Sequence, residues 1–193
     1  VYNRAAGMPE PLATYADLAK PVHKGKVCIR SSSNIYNISL MASIVARNGE
    51  AAAEEWAASV VANFARTPQG NDTGQIRAVA SGECGIAIAN TYYLARLAVS
   101  EDPQDQAVAA AVGIVFPDQA GNGTHVNISG AGLVKTAPNP ENAIRFLEYL
   151  ASDQAQSLFA DGNHEYPVVS GIAATSTVVA LGDFAEDSLN TSE

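Results

Sequence analysis

The sequence predicts an α/β protein in which short buried strands alternate with helices around a parallel sheet. Three observations carry this. The run Ile86 to Ala89 is made of small and β-branched apolar residues, as a strand covered on both faces requires, and it breaks at Asn90-Thr91 into a helix. The order strand, polar loop, helix occurs again at Val27 to Arg30, Ser31 to Asn37 and about Ile38 to Asn48, and such alternation argues a doubly wound sheet. The 193 residues are 47% hydrophobic and 16% charged, which suits one large or two modest globular domains.

Taken in order, Val1 to Asn3 reads as a strand end, followed by a turn through Gly7-Met8-Pro9-Glu10-Pro11. Thr14 is placed to cap a short helix, Tyr15 to Ala19, which Pro21 stops. After the strand at Val27 and the helix closed by Gly49, a long amphipathic helix runs from Glu50 to Ala65, with Trp56, Val60, Val61 and Phe64 on its core face. A loop from Pro68 to Gly74 leads to a helix over Gln75 to Ser81, and Gly82-Glu83 turns into the Cys84 strand. Thr91 is the expected N-cap of the next helix, which sets the adjacent Tyr92 and Tyr93 at its positive end. In open α/β sheets, that kind of strand-to-helix corner is where ligands bind.

Beyond the break at Glu101 to Asp105, helix is expected over Ala107 to Ala111 and strand over Gly113 to Phe116. A Gly-rich crossing follows from Pro117 to Thr124, then a strand from His125 to Ser129 continued past a glycine bend to Val134. Pro140 and Glu141 mark the first turn of a helix reaching Leu150, and Ser152-Asp153 opens another over Gln154 to Ala160. Residues 164–168 read as extended, and the acidic tail from Gly182 as frayed.

Charge and composition exclude several classes. Lys and Arg total 11 against 20 Asp and Glu, a net charge of -9, and no basic cluster stands out, so nucleic acid is not an expected partner. No run reaches the length of a membrane-spanning helix, so membrane insertion is not expected. Cys28 and Cys84 fall in neighbouring strand segments and fit either a disulfide or two buried thiols. His23, His125 and His164 lack the paired spacing of a zinc site; His125 reads as structural and His164 as a loop residue. Tyr2, Tyr15, Tyr149 and Tyr166 read as packing aromatics. Ser31 to Ser33 lack the Gly-x-Ser-x-Gly elbow of a hydrolase, and Gly121, Gly123, Gly130 and Gly132 do not make a dinucleotide fingerprint.

Several collinear segments carry a resemblance. They are Gly25 to Asn37, Val61 to Asp72, Ile88 to Leu97, Gly123 to Gly132, and Asn142 to Ser152 continuing to Glu165-Tyr-Pro-Val168. Over nearly the whole chain they resemble the periplasmic ferric-iron-binding proteins of iron(III) ABC transporters, especially the cyanobacterial type. The resemblance implies a periplasmic-binding-protein-like (type II) α/β fold, with two lobes joined by hinge strands. Residues 1–7 would be a hinge strand, 8–116 the second lobe, 117–125 the hinge crossing, and 126–193 a return to the first lobe. Since the sequence begins Val-Tyr-Asn, the chain is expected to be part of a longer protein, with the N-terminal part of lobe one, roughly 100–150 residues for a domain of ordinary size, lying outside it.

By the same resemblance Tyr92, Tyr93 and Tyr36 are the expected ligands of Fe(III), and Arg96 stands behind them. Ser32, Ser33 and Asn71 match the segments where other branches hold a synergistic anion, carbonate or phosphate. The chemistry is coherent. Fe(III) is hard and highly charged and prefers anionic oxygen donors. Three phenolates neutralise it, and a trivalent ion can displace their protons even though a free phenol has a pKa of about 10. Arg96 can stabilise a phenolate or balance an anion. The expected function is therefore periplasmic capture of ferric iron by a monomer and delivery to an inner-membrane ABC permease, without enzymatic activity. The alternatives are a solute-binding protein for a small anion such as phosphate or sulfonate, whose tyrosines only line the cleft, and a metal-free α/β interaction domain.

Overall fold

The computed structural model describes residues 1–8 and 10–189, and the chain divides into two compact units, residues 1–127 with 183–193 and residues 128–182. The first unit holds a four-stranded sheet made of β1 (Tyr2–Asn3), β2 (Val27–Cys28), β3 (Ile86–Ala87) and β4 (Val112–Gly113) in the order β2-β3-β1-β4. Only β2 and β3 run parallel, in the register Val27↔Ile86 and Cys28↔Ala87; β1 is antiparallel to both β3 and β4. The expected parallel sheet is thus a mixed one. The first residues of the chain enter between β3 and β4 from the opposite direction, which strand-helix alternation elsewhere in the chain cannot reveal.

Cys28 and Cys84 form a disulfide with Cα atoms 5.9 Å apart. It ties the last residue of β2 to the segment just before β3 and closes the question that sequence left open. The helices of this unit are α1 (Ile35–Asn48), α2 (Glu50–Ala62), α3 (Asp72–Ala80), α4 (Thr91–Ala98) and α5 (Pro103–Ala111), with short 3-10 turns at Tyr15–Ala19 and Pro21–His23. Three of these helices start earlier than propensity suggested, because polar side chains cap them. Asn34 accepts from the Tyr36 amide, Asn71 from the Gly74 amide and Asp102 from the Gln104 amide. Gly49 separates α1 from α2 at φ 82°, a left-handed value that glycine tolerates and a β-carbon resists.

Two neighbouring cores fill the unit. Leu18, Val27, Val60 and Ile86 pack with Tyr2 and Phe64, while Leu40, Ile44 and Ala53 form the second, and Tyr15, Trp56 and Ile88 pack against both. The Trp56 indole donates to the Tyr15 carbonyl at 2.8 Å, which satisfies its only donor inside that packing. Buried Asn63 donates to the Leu18 and Lys20 carbonyls at 2.8 and 2.9 Å, pinning the two 3-10 turns to the end of α2.

The expected strand from His125 to Val134 does not form; Thr124 alone makes a parallel bridge, to Glu186. Thr124 exchanges backbone hydrogen bonds of 2.8 Å with Ala185 and Asp187, and the Asp187 carboxylate pairs with Arg47 on α1. Residues 183–189 are therefore fastened rather than frayed. The rest of the expected frayed tail, 190–193, lies outside the described residues, as does Pro9 in the expected first turn.

The second unit carries α6 (Pro140–Leu150), α7 (Asp153–Asn163) and α8 (Ser176–Val179). Proline in the first turn of α6 and the Ser152 cap of α7 set these helices where the sequence signals placed them. His164 closes α7 in the left-handed conformation at φ 59°. Buried Gln156 donates to the Leu150 carbonyl at 2.9 Å and accepts from the Val168 amide at 3.0 Å, so one side chain ties the extended segment to both helices.

Candidate metal centre

Three phenols from two helix starts meet in the first unit. Tyr36 is the second residue of α1, and Tyr92 and Tyr93 are the second and third of α4. The hydroxyls of Tyr36 and Tyr92 are hydrogen-bonded at 2.8 Å, and the rings of Tyr92 and Tyr93 lie 4.3 Å apart at 30°. Burial above all, then the hydrogen bonds with Tyr36 and Tyr93, hold the Tyr92 phenol protonated far above the ordinary tyrosine range. A helix N-terminus favours negative charge, so both helix starts suit groups that must become anionic. Arg96, one turn further along α4, lies with its guanidinium carbon 5.0 Å from the Tyr92 ring centroid and 5.9 Å from that of Tyr93.

Asn90, not Thr91, is the N-cap of α4 by position, and its side chain does not cap the helix. It donates instead to Asp72 at 2.9 Å and accepts from Asn127 at 2.8 Å. Asp72 is buried, and its other oxygen accepts from Arg30 at 2.7 Å. The guanidinium carbon of Arg30 stands 5.2 Å over the Tyr36 ring. Burial pulls the Arg30 pKa down, but the hydrogen bond and charge of Asp72, joined by Tyr93, outweigh it and raise the value. Arg30, Asp72, Asn90 and Asn127 line the same cleft as Tyr36, and none of them stood out in the sequence. A basic residue just past a buried strand, and an acid in the first turn of a helix, were the available signals.

The structure thus brings Tyr36, Tyr92, Tyr93 and Arg96 together. Ser32 and Ser33 are exposed in the loop before α1, where the Ser33 hydroxyl pairs with that of Ser31 at 2.8 Å. Asn71 uses its side-chain carbonyl to cap α3 at 2.9 Å. His125 lies on this cleft rather than in a strand, its Nε2 2.9 Å from the Ser39 hydroxyl, and burial lowers its pKa.

Polar side chains gathered where strands give way to helix starts define a ligand-binding protein of the α/β class. The chain belongs to the family of bacterial extracellular solute-binding proteins, whose family model matches residues 2–181. It is 54% identical over 187 residues to "Iron uptake protein A1" of Synechocystis sp., covering 97% of this chain and 52% of that protein. It is 51% identical over 193 residues to "Iron uptake protein A2" of the same organism, covering 99% and 56% respectively. The chain therefore spans about half the length of the curated relatives it matches.

Among solved structures it is similar to Trichodesmium IdiA (FutA) in complex with iron and citrate ligands, with a TM-score of 0.91 and 57% identity over 96% of this chain and 59% of that one. It is also similar to the ferric binding protein from Campylobacter jejuni, with a TM-score of 0.93 and 38% identity over 97% and 60%. These likenesses bear out the resemblance read from the sequence and the type II periplasmic-binding-protein fold. Among the described residues no helix is long and apolar enough to cross a membrane.

Proposed function

We propose that this chain captures ferric iron through the phenolates of Tyr36, Tyr92 and Tyr93, as part of a periplasmic solute-binding protein that delivers the ion to an inner-membrane ABC permease. The observation that carries the proposal is the 2.8 Å contact between the Tyr36 and Tyr92 hydroxyls, with the Tyr93 ring tilted against that of Tyr92. Two phenols on separate helices with their oxygens already at hydrogen-bond distance form a chelate in waiting. A trivalent ion would displace the hydroxyl protons of all three tyrosines to solvent and take up their oxygens, which an apolar aromatic cluster could not offer. Arg96 lies along Tyr92 and Tyr93 and offsets the extra negative charge of a phenolate or an accompanying anion.

Carbonate or phosphate, held from the Ser32, Ser33 and Asn71 side, is the finer part of this reading. Capture and release require no bond-making in the solute, so this reading makes the protein a carrier and not an enzyme; a monomer is the finer part of it. The lobe assignment read from the resemblance belongs to the same proposal: hinge strand 1–7, second lobe 8–116, crossing 117–125 and return 126–193. The change of unit falls at residues 127 and 128, just past that crossing, and residues 183–189 group with the first unit.

The test is a titration of the chain with ferric citrate, followed by visible absorbance. A phenolate-to-iron charge-transfer band saturating at one iron per chain, and weakened by Tyr92→Phe and Tyr93→Phe, is the expected result. Retention of phosphate or sulfonate with no band would favour the small-anion reading instead.

A further inference from the structure

Asp72 is 1% exposed and uses both carboxylate oxygens: one accepts from Arg30 at 2.7 Å, the other from the Asn90 amide and side chain at 2.8 and 2.9 Å. Its two partners lead to the two helix starts that carry the phenols. Arg30 stands over the Tyr36 ring, and its carbonyl accepts from the Asn37 side chain at 2.8 Å. Asn90 is the residue from which α4, with Tyr92 and Tyr93, begins.

Two capping details bear on what this arrangement is for. Asp72 sits in the first turn of α3, yet Asn71 supplies the cap of that helix. Asn90 holds the cap position of α4, yet its side chain is turned to Asp72 and Asn127. A buried ion pair adds little net stability over an apolar substitute, so stability alone is a weak reason to bury one here. Fixing three segments against each other is a better one.

We propose that Asp72 is a positioning residue for the phenol cluster, with Arg30 as its arm toward Tyr36 and Asn90 as its arm toward Tyr92 and Tyr93. Its effect on iron rests on the phenolate reading above; its effect on the tyrosines does not. A carboxylate in this place sets the Tyr36 and Tyr92 hydroxyls at contact distance before any ion arrives. It also holds the Arg30 guanidinium over the Tyr36 ring.

The test compares Asp72→Asn, Arg30→Gln and Arg30→Lys with the parent chain in two measurements. The first is near-ultraviolet circular dichroism of the metal-free chain, whose tyrosine signal requires fixed rings; Tyr36→Phe/Tyr92→Phe defines the contribution of the cluster. The second is competition for iron against citrate. Asp72→Asn keeps an acceptor for Asn90 but turns a donor toward Arg30, so its tyrosine signal falls to the level of the double phenylalanine variant while far-ultraviolet dichroism is retained. Its apparent iron affinity drops about 10- to 100-fold, the usual range for groups that orient metal ligands. Arg30→Gln behaves alike, and Arg30→Lys, which keeps the ion pair, retains the signal.

If Asp72→Asn melts too early for comparison, the two Arg30 variants decide: retention in Lys with loss in Gln supports the proposal, and equal signals overturn it. An unchanged tyrosine signal in a folded Asp72→Asn chain also overturns it. Absence of iron binding in the parent would sink the phenolate reading while the dichroism still decides the role of Asp72.

Discussion

The hydroxyls of Tyr36 and Tyr92, 56 residues apart in the chain, are hydrogen-bonded at 2.8 Å. A contact of that length requires one of the two phenols to donate its proton to the other, so the pair is linked by a single hydrogen. Losing either hydroxyl breaks the link and removes a donor oxygen. Tyr36→Phe and Tyr92→Phe are each predicted to weaken iron binding by at least about 100-fold, above the 10- to 100-fold expected for a supporting residue. Competition against citrate checks this. Both variants retain most of their ring packing, so their melting temperatures should move little.

Asp17 contributes stability that acid removes. Burial acts to raise its pKa, but Lys20 at 2.9 Å and the Thr14 and Ala13 amides together hold it down at about 2. A carboxylate depressed from its unfolded value contributes stability above pH about 4 and loses it as pH falls toward 2. Asp17→Asn should cost about 1–2 kcal/mol at pH 7 and much less at pH 2, read by urea unfolding at both values.

His23 acts in a higher window. It is fully buried, neither ring nitrogen has a hydrogen-bond partner among the described residues, and burial followed by the charge of Lys26 lowers its pKa. The folded protein thus holds it neutral where the unfolded chain would bind a proton, so stability falls as pH drops below about 6.5 toward the folded value. A His23→Leu chain should lose that part of the pH dependence between pH 7 and 5 while keeping the acid limb set by Asp17.

The Cys28–Cys84 bridge joins residues separated by 56 positions. Closing a loop of that length removes unfolded-state entropy worth about 4 kcal/mol. Cys28→Ser/Cys84→Ser should therefore melt well below the parent, and a reducing agent should lower the parent to the same temperature. Because Cys28 ends β2 and Cys84 precedes β3, the strands that lead to Arg30 and Tyr92, the reduced chain should also bind iron less tightly.

Gly123 lies at φ +92°, and a β-carbon there would collide with the Glu186 backbone. Gly123→Ala should cost roughly 2–4 kcal/mol through overpacking and left-handed strain together. It should also release residues 183–189 to limited proteolysis, because the Thr124–Glu186 bridge depends on that approach.

Much of this arrangement was legible in the sequence because its signals are local. Proline and serine marked the starts of α6 and α7, Gly49 divided α1 from α2, and the adjacent Tyr92 and Tyr93 stood at the end of a buried strand. What was hidden depends on distance along the chain. The Arg30–Asp72 bond spans 42 positions and the Asp72–Asn90 bonds 18, so no periodicity or spacing announces them. Thr91 was the natural cap by composition, but the cap position falls at Asn90, whose side chain serves Asp72 and Asn127 rather than the helix. The reversed direction of β1 was hidden for a related reason: two residues set between β3 and β4 carry no pattern of their own.

The most direct test of phenolate ligation is resonance Raman spectroscopy of the iron-loaded chain, excited within its visible band. Enhanced tyrosinate ring modes in the parent, diminished in Tyr36→Phe, Tyr92→Phe and Tyr93→Phe alike, are the predicted result. Stoichiometric iron with no tyrosinate modes would contradict the account, because the ion would then be held by other atoms.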